Sequence, residues 1–300
     1  MPIRPSPAVV RASDLLDALA VEPDRRYSVS ELARLVGVPR ATCDAVLLAL
    51  ADGGLVARDE QRRYSLGPRL IALADAARAS NTALRAAALR AEALARAESA
   101  VVAVSTRDGD QTWVAHVYDF GPAIGLRTRA GDAIELVPPF GAAFVAWDDD
   151  TGIQRWLDRA DPPLGPDEQA RYRAALEAVR RRGYSVSIAS DRAVDLAQAL
   201  DRLSRHPHGD DAIAIRDRAI RDIAHGEYLA AEIEPESTTR LTQISAPIVE
   251  PGGRVSTAIM LLGPSHEVPA AETARLGELV RGAAARASTD VGGGPSATGR

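Results

Sequence analysis

Five polar residues near the N-terminus have the types and spacing of a phosphate-binding group. They are Arg40 and Thr42, at the start of a predicted helix, and Arg58, Arg62 and Arg63, around a predicted turn. Guanidinium groups hydrogen-bond phosphate oxygens in a bidentate manner, and hydroxyl groups add neutral donors. The chemistry that these residues can support is therefore noncovalent contact with a nucleic-acid backbone.

The sequence carries none of the motifs typical of covalent catalysis. It has no Gly-x-Ser-x-Gly elbow, no phosphate loop and no His-Glu-x-x-His pair. We therefore expect neither an enzyme nor a bound cofactor.

Two further groups of residues could react or bind a metal. Cys43, the only cysteine, falls on the apolar stripe of a predicted helix, where a thiol packs as a small hydrophobic group rather than acting as a redox switch. The residues that could ligate a divalent cation are His206, His208, Asp210, Asp211 and His225. Their segment contains Pro and Gly and is more simply a solvated connector, so we predict no metal site.

Composition limits the kind of partner that the chain can attract. The 300 residues are 46% hydrophobic and 26% charged, with a formal net charge of -5. Nine arginines and nine acidic residues between Ala8 and Leu70 leave that segment formally neutral. Any DNA contact must therefore come from a local basic patch. The lone cysteine and the lack of a long apolar stretch predict a cytoplasmic protein.

Helical periodicity over the first 52 residues predicts a helix-turn-helix. One helix covers residues 8–20, and a second runs to Val36 from Ser30, which we take as its N-cap. A third, over residues 40–52, buries Cys43, Val46, Leu47 and Leu50. Its exposed face then consists of Ala41, Asp44, Ala45 and Leu48.

A hairpin follows this pair of helices at the position of a wing. Residues 55–58 and 63–66 alternate in polarity around the turn 59–62, so residues 8–67 are predicted to form a winged helix-turn-helix domain. The candidate DNA-binding residues are Ser30, Arg40, Ala41, Thr42, Asp44, Ala45, Arg58, Arg62 and Arg63.

The remaining sequence predicts a helical linker and a larger α+β domain. Residues 68–98 are helical and rich in alanine, which favours close packing against a partner copy. The domain over residues 99–289 has strands at 101–106, 112–119, 184–188, 242–250 and 254–262 and helices at 141–147, 152–159, 166–182 and 269–287. It includes an insertion, about 191–226, to which we assign no role. The Gly- and Ser-rich tail 290–300 is predicted to be disordered.

In the order and spacing of its motifs, the sequence resembles the IclR family of bacterial regulators from Ala8 to Ala287. The motifs are Ser30-Glu-Leu-Ala-Arg-Leu-Val-Gly-Val-Pro-Arg-Ala-Thr42, Gly54-Leu-Val56, Tyr64-Ser-Leu-Gly67, Arg182-Gly-Tyr184, Ile244-Ser-Ala-Pro247 and Leu262-Gly-Pro264. The resemblance implies a winged N-terminal domain, a linker helix and a GAF-like effector domain, an antiparallel sheet flanked by helices. It also implies dimers or tetramers.

The effector site that the resemblance implies is unusually apolar here. Related proteins place small polar residues where this chain has Phe140, Met260 and Leu262. The full candidate set is Trp113, His116, Phe140, Gly141, Ala142, Phe144, Ser245, Met260 and Leu262. We expect an apolar or aromatic effector rather than a small keto acid, because an apolar lining leaves a carboxylate unpaired. The alternative is that the large side chains fill the cavity and nothing binds.

We therefore expect a DNA-binding transcriptional regulator, most simply a repressor, that is controlled by a small effector. The recognition helix departs from the family, which usually has a polar or aromatic residue and then an arginine where this chain has Asp44 and Ala45. The alternative is a sensor or protein-interaction module that keeps the fold without binding DNA.

Overall fold

The computed structural model describes residues 5–121, 128–189, 227–264 and 266–292. The chain divides into two compact units, the first ending at Ser80 and the second beginning at Asn81. The insertion 191–226, and with it the candidate metal ligands, lies outside the described residues. Within the described ranges, no helix combines the length and the apolar character needed to cross a membrane.

The first unit is a winged helix-turn-helix, as the sequence predicts. Its elements are α1 (Pro7–Val21), α2 (Val29–Leu35), α3 (Arg40–Asp52), β1 (Val56–Arg58), β2 (Tyr64–Leu66) and α4 (Arg69–Ser80). The side chains of Leu15, Leu32, Leu47 and Tyr64 are fully buried where the three helices meet the hairpin. The period-3.6 apolar stripes of α1 and α3 thus form one core.

Helix α2 begins two residues earlier than the sequence analysis placed it. Ser28, not Ser30, is its N-cap, and the Ser28 hydroxyl accepts a hydrogen bond from the Glu31 backbone N–H. The Glu31 carboxylate accepts from the Ser28 backbone N–H in return, which completes a capping box. Ser30 lies exposed in the first turn of the helix.

At the base of the wing, the backbone segments around Gly54 and Gly67 approach each other closely. The Gly67 N–H donates to the Leu55 carbonyl at 2.8 Å, and a Cβ added at Gly67 would lie 2.3 Å from the carbonyl oxygen of Gly54. Only glycine fits there. The two motifs that contain Gly54 and Gly67 therefore meet in space and fix where the hairpin starts and ends.

The second unit is built on one antiparallel sheet. Its helices are α5 (Thr82–Glu98), α6 (Ala142–Val145), α7 (Asp150–Leu157), α8 (Pro166–Arg182) and α9 (Ala270–Asp290). Its strands are β3 (Val101–Asp108), β4 (Gln111–Asp119), β5 (Ala133–Glu135), β6 (Ser185–Ala189), β7 (Glu227–Leu229), β8 (Thr238–Thr239), β9 (Leu241–Val249), β10 (Val255–Leu262) and β11 (Val268–Pro269). Seven strands pair in the order β5-β4-β3-β10-β9-β6-β7, and β8 pairs with β11.

Helices cover the two faces of this sheet differently. Val104, Ile244 and Ile259 project toward α5 and α9 and form the largest core cluster with them. On the opposite face, Ala258 of β10 packs in a second cluster with α6, α7 and α8. A smaller cluster on that face contains Met260 and Leu262.

The alanine-rich segment 68–98 consists of two helices that behave differently. In α5, residues such as Ala87, Ala91 and Ala95 are fully buried against α9 and the sheet of the same unit. Arg90 also forms a bidentate ion pair with Asp290 at the end of α9. These alanines are therefore not available to a partner copy, which corrects that part of the prediction. Helix α4 has no buried residue.

Helix α9 also continues past its predicted end at Ala287. The Ser288 hydroxyl is buried, donates to the Ala284 carbonyl and accepts from the Val249 N–H at 2.9 Å. This link to β9 holds the last turn, so the helix reaches Asp290. Residues 293–300 of the predicted tail lie outside the described part of the chain.

Candidate nucleic-acid interface and ligand site

Helix α3 presents an uncapped N-terminal turn. Pro39 occupies the N-cap position, and no acidic residue lies in the first turn. The free N–H groups of such a turn, together with the helix dipole, attract anions. Arg40, Ala41 and Ala45 are exposed, whereas Thr42 and Asp44 are half-buried. The solvent-facing side of α3 thus offers one guanidinium group and mainly methyl groups.

Cys43 faces the core, as predicted. Its side chain is fully buried, and its thiol donates a weak hydrogen bond to the Val29 carbonyl at 3.7 Å. Burial, with a smaller contribution from Asp44, raises the pKa of the thiol. The neutral thiol is therefore part of the contact between α3 and α2.

The tip of the wing is a tight turn that presents Arg62. The Arg62 N–H donates to the Asp59 carbonyl at 3.0 Å, and Arg62 adopts the left-handed conformation with φ of 59°. The Asp59 carboxylate accepts from the Arg63 backbone N–H at 2.8 Å. Arg62 is exposed, and its side chain has no ion pair among the residues that the structure describes.

The other two wing arginines are engaged within the domain. The Arg58 guanidinium lies over the ring of Tyr64, 5.6 Å from its centroid, with its side chain exposed. Arg63 donates to the Arg26 carbonyl at 2.9 Å and lies 3.6 Å from the Glu31 carboxylate. Arg63 is therefore turned toward the body of the domain, and the DNA contacts of all three arginines stay a prediction.

Glu31 is the acceptor that several donors share. The Ser28 N–H and the Ser28 hydroxyl both lie 2.7 Å from its carboxylate, and the Arg25 guanidinium lies 3.2 Å away. The hydrogen bonds from Ser28, followed by those from Arg25 and the charge of Arg63, hold the pKa of Glu31 at about 2, below its ordinary value of 4.5. This carboxylate therefore stays ionised in the folded domain.

We expect Glu31 to make the first unit sensitive to acid. Because its pKa is lower in the folded chain, its contribution to stability is present above the unfolded pKa of 4.5 and is lost as the pH falls toward about 2. The variant Glu31→Gln should lower the free energy of unfolding by about 1 to 2 kcal/mol at neutral pH, because it loses the ion pairs with Arg25 and Arg63 and replaces the charged acceptor of the capping box with a weaker, neutral amide oxygen.

Urea unfolding followed by circular dichroism, on wild type and Glu31→Gln, checks this expectation. The difference between the two proteins should be largest at about pH 6 and should shrink by about pH 3. A difference that is the same at both pH values would contradict the assignment.

The ligand-site candidates on β9 and β10 share the sheet face opposite α5 and α9. Met260 of β10 pairs with Ser245 of β9 on one side and with Ala103 of β3 on the other. Met260 and Leu262 pack with Val114 of β4 in a small apolar cluster. All of these side chains are buried within the chain.

Two candidates from β4 lie on the other face. His116 pairs with Val104, which faces α5 and α9, and the His116 ring stacks on Tyr118 with centroids 6.1 Å apart. Trp113 pairs with Thr106 and precedes Val114, so it also points away from Met260 and is 39% exposed. The structure thus separates His116 and Trp113 from the other candidates.

The remaining candidates border α6. Gly141 is the N-cap of this short helix, with φ of 80°, and a Cβ there would lie 2.0 Å from a Leu136 methyl carbon. Ala142 and Phe144 are buried in the cluster that includes Ala258. The Phe140 carbonyl accepts a hydrogen bond from the Trp156 indole at 2.9 Å. Phe144 is thus a core residue, whereas Phe140 is half-buried.

The sequence analysis missed two polar residues on the Met260 face. Ser185 of β6 pairs with Ser245 and donates to its carbonyl at 3.3 Å, and Ser187 lies on the same face two residues later. Both are buried. The sequence does contain a pattern that could have identified them. Ser185 and Ser187 alternate with Val186 and Ile188, which face the main core, so the two serines must face the other way. The face therefore has an apolar half on β3, β4 and β10 and a hydroxyl-bearing half on β9 and β6.

Comparison with known proteins finds a family model that matches part of the first unit. Residues 8–60 match the model of the IclR helix-turn-helix domain. Sequence comparison found no relative among curated proteins.

Solved structures resemble the chain over nearly its whole length. An IclR transcriptional regulator from Alicyclobacillus acidocaldarius is 21% identical with a TM-score of 0.67, over 96% of this chain and 100% of that one. IclR from Thermotoga maritima is 16% identical with a TM-score of 0.60, over 95% and 98%. An IclR homologue from Microbacterium hydrocarbonoxydans, complexed with 4-hydroxybenzoate, is 18% identical with a TM-score of 0.62, over 95% and 98%.

Proposed function

We propose that the protein is a transcriptional regulator that binds operator DNA and responds to a small molecule. Its residues 8–60 match the model of the IclR helix-turn-helix domain, and its fold resembles that of solved IclR regulators. We further propose that it is cytoplasmic, has no enzymatic activity and acts as a repressor. The observation that carries DNA binding is the match of this domain to the family, with Arg40 and the wing tip exposed.

The composition of α3 favours contacts to phosphates over contacts to bases. Ala41 and Ala45 are the exposed residues after Arg40, and Asp44 is half-buried and anionic. Alanine can touch a thymine methyl group, but side-chain donors and acceptors are needed to distinguish most base pairs. The second candidate function, a module that no longer binds DNA, rests on this same observation.

We expect Arg40→Ala to weaken binding to a duplex taken from the DNA flanking the gene. Loss of one phosphate contact should lower the slope of log K against log salt by about 0.9 and weaken binding to all sequences alike. Fluorescence anisotropy over a salt series measures both quantities. Arg171→Ala is the matched control, because that arginine is on α8 with its side chain 78% exposed.

Two outcomes would decide against this assignment. If wild type binds no duplex even at low salt, the non-binding module is correct. If Asp44→Ala changes which sequence is preferred while Arg40→Ala has no effect, base reading rather than phosphate contact dominates.

We propose that the effector is an amphipathic aromatic compound that binds over the Met260 face. Met260, Leu262 and Val114 offer apolar area, and Ser185 and Ser245 lie at the polar side of the same face. Burial of apolar area supplies affinity, and a few hydrogen bonds set orientation. The 4-hydroxybenzoate bound by the Microbacterium homologue has this chemical character.

Thermal-shift measurements test this ligand class. We expect 4-hydroxybenzoate and related aromatic acids to raise the melting temperature, with a stabilisation of about 2.7 kcal/mol at a hundredfold excess over Kd, and pyruvate to have no effect. Met260→Ser should reduce the shift, whereas Trp113→Ser, on the opposite face, should leave it unchanged. Stabilisation by pyruvate alone would refute the apolar site, and no shift with any compound would support a filled cavity.

We also propose that the protein is a homodimer, or a tetramer built from two such dimers, and that the dimer contact is made by α4. Ile71 and Leu73 on this helix are 67% and 49% exposed, and the helix buries none of its residues in its own chain. A twelve-residue helix that buries none of its residues is marginal in water, so we expect a partner to cover its apolar side chains.

A further inference from the structure

Arg62 and Arg63 are both exposed, with the Arg63 side chain 48% accessible, but they differ in their partners within the domain. The Arg62 side chain is exposed at the tip of the wing turn. The Arg63 guanidinium donates to the Arg26 carbonyl at 2.9 Å and faces the Glu31 carboxylate at 3.6 Å. Sequence alone treats the pair as equivalent DNA contacts, but the Arg63 guanidinium is held by the Arg26 carbonyl and by a carboxylate that it shares with Arg25.

A second ion pair lies beside the first, and in it the wing supplies the carboxylate instead of the cation. Arg26, which precedes α2, lies 3.6 Å from the carboxylate of Asp59 in the wing. The same Asp59 carboxylate accepts the Arg63 backbone N–H at 2.8 Å, and its side chain is only 18% exposed. Two ion pairs therefore join the wing to residues 26–31. The wing supplies the cation of one pair, Arg63, and residues 26–31 supply the cation of the other, Arg26.

Backbone hydrogen bonds lie between these two ion pairs. The Tyr27 N–H donates to the Tyr64 carbonyl at 3.0 Å, and the Tyr64 N–H donates to the Tyr27 carbonyl at 2.7 Å. The segment before α2 thus acts as a third strand of the wing. Because Glu31 is also the capping residue of α2, the start of that helix and the wing share one carboxylate.

We propose that Glu31 and Arg63 are positioning residues that clamp the wing to α2, so that Arg62 contacts a DNA phosphate while Arg63 does not touch DNA. This inference rests on the DNA-binding function proposed above. It follows from the geometry because hydrogen bonding to the Arg26 carbonyl and pairing with Glu31 turn the Arg63 guanidinium toward its own domain, whereas the orientation of the turn decides which phosphate Arg62 reaches.

The test compares salt dependence for Arg62→Ala, Arg63→Ala and Glu31→Gln in the full-length protein. Arg62→Ala should lower affinity about tenfold and lower the slope of log K against log salt by about 0.9, and Arg62→Lys should restore the slope. Arg63→Ala should also lower affinity but leave the slope at the wild-type value, because no phosphate contact is lost.

Coupling between the two positioning residues gives an independent readout. In a double-mutant cycle, Glu31→Gln should cost little further DNA affinity once Arg63 is alanine, whereas the effects of Glu31→Gln and Arg62→Ala should multiply. Binding is measured well below the melting temperature of each variant, so a loss of folding cannot imitate the effect.

Three results would overturn the clamp. One is a slope that falls equally for Arg63→Ala and Arg62→Ala, and another is independence of Glu31 and Arg63 in the binding cycle. If wild type binds no DNA, the regulator proposal itself fails. In that case the same double-mutant cycle is carried out on the free energy of unfolding. The clamp is overturned if the losses of stability caused by Glu31→Gln and Arg63→Ala are additive.

Discussion

Replacing both Ile71 and Leu73 with aspartate is expected to convert the protein to monomers and to weaken operator binding by more than about 100-fold. Consecutive helical residues are rotated by about 100°, so these two side chains project from nearly opposite sides of α4. Whichever side a partner covers, the double variant buries a carboxylate in the contact. Binding to two half-sites by linked domains is then lost.

Multi-angle light scattering and anisotropy measure the two effects on the same samples. Leu89→Asp is the matched control, because Leu89 is 71% exposed on α5, whose other face is buried within its own unit. If Leu89→Asp separates the subunits and the α4 variant does not, the contact lies on α5. A wild type that is monomeric at micromolar concentration would refute the dimer altogether.

Gly263→Ala is expected to lower the free energy of unfolding of the second unit by at least about 3 kcal/mol. A Cβ at this position would lie 1.6 Å from the Leu241 carbonyl oxygen, and the Gly263 N–H donates to the Thr242 carbonyl at 2.8 Å. The clash is with backbone, so it can be relieved only by separating the end of β10 from the start of β9. Circular dichroism during urea unfolding measures the loss.

Gly282→Ala provides the comparison for the same chemical change. This glycine is in α9, and its nearest neighbour to an added Cβ is the flexible end of Arg286 at 3.4 Å. Alanine favours the helix over glycine by about 0.5 to 1 kcal/mol, so this variant should be slightly more stable than wild type. Equal effects of the two substitutions would contradict the close approach at Gly263.

Regular elements could be predicted closely because local periodicity and capping determine them. The bounds predicted for α3 and α8 agree with the structure, and the wing strands differ by one residue. The N-cap of α2 was assigned wrongly although Ser28 and Glu31 have the spacing of a capping box. Ser30 satisfies the same residue preference, but the third residue after it is Ala33, so the spacing itself favours Ser28.

The faces of β4 could not be read from the sequence. Between Val104 and Ser105 of β3 the register with β4 shifts, so Val104 pairs with His116 but Ser105 pairs with Val114. Such a bulge reverses the parity of every residue beyond it. Simple alternation would place Trp113 and His116, which are three residues apart, on opposite faces of β4, whereas the bulge brings both to the face opposite Met260.

Local sequence likewise cannot predict which element packs against the apolar face of a helix. The alanines of α5 favour close helix packing in any context, and the structure places that packing against α9, where Arg90 and Arg275 link the two helices through Asp290 and Glu98. The uses of Arg62 and Arg63 differ for the same reason, since the residues that distinguish them are Arg26 and Glu31, far away in the chain.

The single buried thiol makes the chain its own reporter of local opening. Cys43 is the only cysteine in the sequence and is fully inaccessible between α3 and α2. A disulfide-exchange reagent can modify it only while the first unit is open, so the modification rate measures the opening equilibrium of that unit alone. If added DNA duplex slows modification of Cys43 and an effector does not, the two ligands stabilise different units. Their separate contributions to stability can then be measured in one protein without an attached label.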